Sequence, residues 1–159
     1  MMPWPDASTG YWHGSCSLEG IDVLPCQGVS VPRGSVLIVE DEHLLGSNLQ
    51  EYLRRRGWDA QLARTGELAL AEYARSRPCV VLMDYELPDM DGFQILGAMR
   101  AQDDPCGCVM MTAHTSEAVV WRAGEQRVAH VLHKPFPLAE MEQWLRTAAS
   151  NCNCGPLEA

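Results

Sequence analysis

Between residues 35 and 150 the chain alternates short apolar runs with amphipathic stretches, and the alternation repeats five times. The first run, Ser35-Val-Leu-Ile-Val39, is apolar on both faces and β-branched, the pattern of a strand buried on both sides, and it stops at Glu40-Asp41. Leu44, Leu45, Leu49, Tyr52 and Leu53 then recur at helical spacing, with Gly57 where a helix would end. Trp58 to Ala63 predicts a weaker strand. Thr65 is placed to cap a helix carrying Leu68, Leu70 and Tyr73, which Pro78 terminates.

Cys79-Val-Val-Leu-Met83 is the clearest strand pattern. It ends at Asp84, followed by the turn Leu87-Pro-Asp-Met-Asp-Gly92 and a helix bearing Phe93, Leu96 and Met99. Cys108-Val-Met-Met111 ends at Thr112, with a helix through Val119, Val120 and Trp121 after it, and Trp121 is expected in the core. Ala129 to His133 ends at Lys134-Pro135, and a last helix carries Leu138, Met141, Trp144 and Leu145. Five strands alternating with five helices predict an α/β fold, a parallel sheet covered by helices on both faces with right-handed crossovers. Residues 1–34, rich in Pro, Gly and Ser with isolated Trp4, Tyr11 and Trp12, are expected to be a flexible arm, and 151–159 a disordered tail. A domain over 35–150 remains.

Composition narrows the function. A net charge of -9 argues against direct nucleic-acid binding, which depends on clustered Lys and Arg. Arg54-Arg55-Arg56 is the exception, and it is expected to fan around a helix C-terminus, where cations are favoured. No apolar run approaches the roughly 20 residues of a membrane helix. The N-terminus lacks the basic and apolar segments of a secretory signal, so the chain is read as cytoplasmic. The seven cysteines, at 16, 26, 79, 106, 108, 152 and 154, are read as free thiols, and Cys106 with Cys108 as too few ligands for a soft metal.

The chemistry lies at the strand ends. In a sheet of this kind ligands bind beyond the carboxyl ends of the strands. Here those ends carry Glu40, Asp41, Asp84, Thr112 and Lys134, which brings three carboxylates, a hydroxyl and an ammonium onto one rim. Clustered carboxylates repel unless a cation shares them, and oxygen ligands at a solvent-facing rim suit magnesium. A carboxylate beside such a cation can attack phosphorus while a hydroxyl and an ammonium neutralise the transferred oxygens. Lys134 is the one lysine beside eleven arginines, a compact point charge where one is wanted.

Val39-Glu-Asp-Glu42, Met83-Asp84, Leu87-Pro-x-Met-Asp-Gly92, Met111-Thr-Ala113 and Lys134-Pro-Phe136 together resemble the receiver domains of two-component response regulators, over roughly residues 35–149. The resemblance implies a doubly wound (βα)5 flavodoxin-like fold. It implies that Asp84 accepts a phosphoryl group, with Thr112 and Lys134 binding phosphoryl oxygens. It also implies a Mg2+ (or Mn2+) ion held by Glu40, Asp41, Asp84 and the backbone carbonyl of Glu86. The implied donor is a sensor histidine kinase or histidine phosphotransfer protein. The readout is a change in partner affinity on the face of the fourth helix, fifth strand and fifth helix, where a homodimer could also form. The implied activity is signalling rather than enzymatic turnover, apart from the chain's own Mg-dependent phosphorylation and dephosphorylation. With nine residues after the last helix, the chain is expected to be either a stand-alone receiver or the front part of a longer regulator, and Met110-Met-Thr-Ala-His114 resembles receivers attached to transcription activators.

Other readings fit less well. Val131 stands three residues before Lys134, where many receivers have Tyr or Phe, which weakens the usual switch mechanism but not phosphorylation. A haloacid-dehalogenase-like phosphatase would carry its nucleophile on the first strand in a D-x-D pattern, whereas Asp84 is on the third with Glu86 two residues on. Asp89-Met-Asp91-Gly92 fails as a calcium loop, because Leu87 and Ala98 fall at the ligand positions. His130 and His133 are expected to be satisfied or solvent-facing. A receiver-shaped scaffold that acts only by binding is the remaining alternative.

Overall fold

The structure, a computed structural model, describes residues 34–102 and 106–150. Of the arm and tail expected at 1–34 and 151–159, residues 1–33 and 151–159 lie outside the described residues, with Trp4, Tyr11, Trp12, Cys16, Cys26, Cys152 and Cys154. The elements run β1 (Ser35–Val39), α1 (His43–Arg55), β2 (Asp59–Ala63), α2 (Gly66–Ser76), β3 (Val80–Asp84), α3 (Gly92–Arg100), β4 (Gly107–Thr112), α4 (Glu117–Glu125), β5 (His130–His133) and α5 (Leu138–Ser150). All pairings are parallel and the sheet order is β2-β1-β3-β4-β5. This is the doubly wound flavodoxin-like arrangement, and its strand order reverses between β1 and β3.

Two-residue periodicity sorts the strand side chains onto two faces. Leu37, Val39, Val81, Met83, Cys108 and Met110 meet Ala69 and Tyr73 of α2, Phe93 and Leu96 of α3, and Val119 and Ala123 of α4. Val36, Ile38, Val80, Leu82, Val109 and Met111 meet Leu49 and Leu53 of α1 and Met141, Leu145 and Ala148 of α5. Each fully buried Leu, Ile or Met contributes about 1.5–3 kcal/mol. Both faces of the three central strands therefore supply core.

Helix ends follow local chemistry. Thr65 Oγ1 accepts from the Leu68 amide at 3.2 Å, and Asp91 and Gln94 form a reciprocal capping box on α3. The chain leaves α1 through Gly57 at φ +91°, a left-handed conformation that costs glycine little. The three arginines at the end of α1 are not a free cationic patch. Arg54 donates to the Ala60 carbonyl, Arg55 pairs with Glu51, and Arg56 reaches Glu142 of α5 at 2.9 Å.

The helical faces differ from expectation at several positions. Trp121, expected in the core, is 65% exposed, and Leu44, Leu68, Val120 and Leu138 are exposed as well. Small residues take the inward positions instead: Gly46 in α1 and Gly66 and Ala69 in α2. A Cβ on Gly46 would stand 3.1 Å from Leu62, so the helix approaches the sheet through a bare α-carbon.

Glu142 is a buried acid that ties α5 to the end of α1. It accepts from Arg56, from Arg146 at 2.7 Å and from Trp58 Nε1 at 3.4 Å. Burial pushes its pKa up, but these donors outweigh that and hold it below the usual carboxylate value. A depressed pKa in the folded state gives stability above the unfolded carboxylate value that is lost as pH falls. Arg56 and Arg146 are about half exposed, at 48% and 44%, which screens the pairs. Glu142→Gln is therefore expected to cost about 1–2 kcal/mol at pH 7. Urea denaturation at pH 7 and pH 3.5 should show the difference shrinking at the lower pH.

Candidate functional site

The strand ends converge as their positions predict. Val39 pairs with Met83, so Glu40 follows directly beside Asp84 at the end of β3, and Asp84 in turn pairs with Met111 of β4. Thr112 pairs with His133, which places Lys134 one residue beyond at the same rim. Glu40 and Thr112 are fully buried, Asp84 is nearly so, and Asp41 is exposed.

Lys134 joins the two buried acids of the rim. Its Nζ donates to Glu40 Oε2 and to Asp84 Oδ2, each at 2.9 Å. The other oxygen of each acid accepts a backbone amide: Glu40 Oε1 from Glu42 and Asp84 Oδ1 from Glu86, both at 3.1 Å. One oxygen from each of Glu40, Asp41 and Asp84 lies within 4.8 Å of the others. Burial raises the Glu40 pKa to about 7, and the Asp84 charge adds to it, against the opposing pull of Lys134 and the Glu42 amide. Burial alone would lower the Lys134 pKa, but its bonds to Glu40 and Asp84 outweigh this and raise it. One ammonium among three carboxylates leaves the rim short of positive charge, and an all-oxygen donor set with one solvent-facing acid fits a hard divalent cation.

The loop after β3 is tightly held. Glu86 forms an antiparallel bridge with Asp91, and the Gly92 amide donates to the Tyr85 carbonyl at 2.9 Å. A Cβ on Gly92 would stand 2.9 Å from the Asp84 carbonyl oxygen, so only glycine lets α3 start this close to Asp84. The bridge and the Glu86 amide place the Glu86 peptide beside the Asp84 carboxylate.

Thr112 reaches the rim but stays outside the lysine–acid network. Its Oγ1 donates to the His114 carbonyl at 3.0 Å and accepts from the His114 amide at 3.1 Å. The hydroxyl has to leave this local turn before it can bond anything carried on Asp84. Val131 is half-buried on β5. The nearby rings are instead Tyr85 and Phe93, 5.4 Å apart edge to face, with the Arg122 guanidinium 4.4 Å over Phe93.

Several sequence readings resolve here. Asp89 accepts from the Gly66 amide at 3.0 Å and from Glu67 at 3.2 Å, and Asp91 caps α3, so both acids of the discarded calcium loop are engaged elsewhere. The Gly66 amide is the main cause holding Asp89 below the usual carboxylate range. His130 stacks on Trp144 at 3.9 Å and His133 is exposed, so neither joins the rim. Cys79 and Cys108 are free thiols, and burial pushes that of Cys108 up to about 12. No helix among the described residues is long and apolar enough to cross a membrane.

Sequence reasoning missed the Asp89 bonds to α2 and the Arg122–Phe93 stack. Both join residues more than twenty positions apart, and no local pattern marks them.

The chain resembles known proteins in sequence and in fold. The family model described as response regulator receiver domain matches residues 36–146. The transcriptional regulatory protein TrcR of Mycobacterium tuberculosis is 32% identical over 111 residues, 70% of this chain and 43% of that protein. The sensory transduction protein RegX3 of Mycolicibacterium smegmatis is 35% identical over 125 residues, 76% of this chain and 54% of that protein. The chain thus spans about half the length of these relatives. The structure of the chemotaxis protein CheY4 of Vibrio cholerae superposes with a TM-score of 0.68 at 26% identity, covering 72% of this chain and 97% of that one.

Proposed function

The chain belongs to the response regulator receiver domain family, whose standard function is phosphoryl acceptance, and on that premise we propose that Asp84 is the residue that takes the phosphoryl group. The observation that carries this is the Asp84 carboxylate, held between the Lys134 ammonium and the Glu86 amide with oxygens of Glu40 and Asp41 beside it. Glu40, Asp41, Asp84 and the Glu86 carbonyl would hold a Mg2+ or Mn2+ ion. When bound, that ion supplies charge neutralisation for the phosphoryl oxygens.

An Asp84 oxygen forms the new bond to phosphorus while the phosphorus–nitrogen bond of a phosphohistidine donor, or the phosphorus–oxygen bond of a small acyl phosphate, breaks. The leaving group keeps the electron pair. Lys134 stays within reach of the new acyl phosphate, and Thr112 turns from His114 toward it, drawing the start of α4 inward. The domain over 35–150 is the phosphoacceptor unit. Its donor is a sensor histidine kinase or histidine phosphotransfer protein, and its readout is a protein target or an output domain. That contact uses the face of α4, β5 and α5, where Val120 and Trp121 are exposed, and a second copy of the chain can dock there too.

Borohydride reduction of the phosphorylated protein followed by peptide mapping tests the site. Homoserine is expected at position 84; homoserine at another position, or at none, contradicts the assignment. Thr112→Ala is expected to keep phosphorylation of Asp84 but slow it by up to about a hundred-fold, the lower end of the scale on which loss of one positioned donor acts. It should abolish the phosphorylation-dependent shift of the α4 amides in NMR spectra.

A further inference from the structure

The loop that carries Glu86 is braced from outside by α2. Asp89 spans the gap with both carboxylate oxygens: Oδ1 accepts from the Gly66 amide and Oδ2 from the Glu67 amide, at the first turn of the helix. The approach is closer than a side chain on Gly66 would allow, since a Cβ there would stand 2.5 Å from Met90 Cγ and 3.1 Å from Asp89 Oδ2. Asp89 and Met90 therefore sit on a bare α-carbon. Their loop is tied at one end to Asp84, through the Glu86 amide, and at the other to α3, through Asp91. A helix N-terminus favours a carboxylate, and two charge-assisted bonds make a firm anchor.

We propose that Asp89 is a positioning residue for the divalent cation: by clamping residues 85–91 to α2 it fixes where the Glu86 carbonyl stands relative to Asp84 and Asp41. The inference rests on the reading of this rim as a metal site. Groups that orient a metal ligand typically contribute ten- to a hundred-fold in affinity when removed. By thermodynamic reciprocity, metal binding also strengthens the clamp, so the Gly66 and Glu67 amides exchange more slowly with the ion present.

Calorimetric titration of the protein with MgCl2 tests this on wild type, Asp89→Ala, Asp89→Asn, Thr65→Ala and Asp41→Asn. Asp89→Ala should weaken Mg2+ binding about ten-fold. Asp89→Asn, which keeps one acceptor, should weaken it less. Thr65→Ala removes the other cap of the same helix, at the Leu68 amide, and so loosens α2 without touching the loop; its Mg2+ affinity should match wild type. Equal weakening by Asp89→Ala and Thr65→Ala would overturn the proposal, because Asp89 would then act only through helix stability. Wild-type affinity in Asp89→Ala, with binding lost in Asp41→Asn, would overturn it while leaving the metal site intact. No Mg2+ binding by the wild type would overturn both.

Discussion

Lys134→Ala is expected to destabilise the chelator-treated protein by about 2–4 kcal/mol at pH 8 and by much less at pH 5. Among the described residues Lys134 is the one cation bonded to both buried acids of the rim, so its loss leaves Glu40 and Asp84 side by side with backbone amides as their remaining partners. Removing one member of a buried ion pair costs about 3–5 kcal/mol when the remaining charge is stranded. Glu40 has an escape, which is to take a proton. Burial has already raised its folded pKa to about 7, well above the ordinary carboxylate value of 4.5. The folded state therefore holds a proton that the unfolded chain has released, and stability falls as pH rises from about 4.5 through 7. Deleting Lys134 removes a force that lowers this pKa, so the window extends upward and the deficit grows with pH. Urea denaturation in EDTA at pH 5 and pH 8 measures it, and a loss independent of pH would contradict the electrostatic account. Phosphorylation of this variant should slow about a hundred-fold, the scale on which one preorganised donor to developing charge acts.

Asp84→Asn is expected to remove phosphoryl acceptance completely and leave the fold intact. An amide oxygen still accepts from Lys134 or from the Glu86 amide, so the local bonds survive in part. One negative charge leaves a rim with three, which relieves repulsion with Glu40, and the net stability change should stay within about 1 kcal/mol. The proposed nucleophile is gone, because a carboxamide does not displace at phosphorus. Loss of one carboxylate should also weaken Mg2+ binding at least ten-fold, measured in the same calorimetric titration.

The sheet and the acids at its rim were legible in the sequence for different reasons. β1, β3 and β4 are buried on both faces, so their side chains are apolar without interruption, and the first polar residue after each run marks where the strand meets solvent. That rule located Glu40, Asp84 and Thr112 directly. Helix faces were less legible, because hydrophobicity marks the residues that could be buried and not those that are. Leu44, Leu68 and Trp121 fit a helical stripe, yet Gly46, Gly66 and Ala69 hold the inward positions where the helices come closest to the sheet or to the loop after β3. The candidate site was readable as a set of residue types at strand ends, but not as a network. That Lys134 bridges Glu40 and Asp84, that Thr112 is turned onto His114, and that Asp89 reaches α2 all depend on contacts between distant segments.

The proposed reaction is a metal-dependent transfer of a phosphoryl group to Asp84. Intact mass spectrometry after incubation with acetyl phosphate, with and without MgCl2, on wild type and Asp84→Asn tests it most directly. A gain of one phosphoryl group is expected in the wild type only when Mg2+ is present, and none in the variant. An unchanged wild-type mass under every condition would contradict it and leave a receiver-shaped scaffold that acts by binding alone.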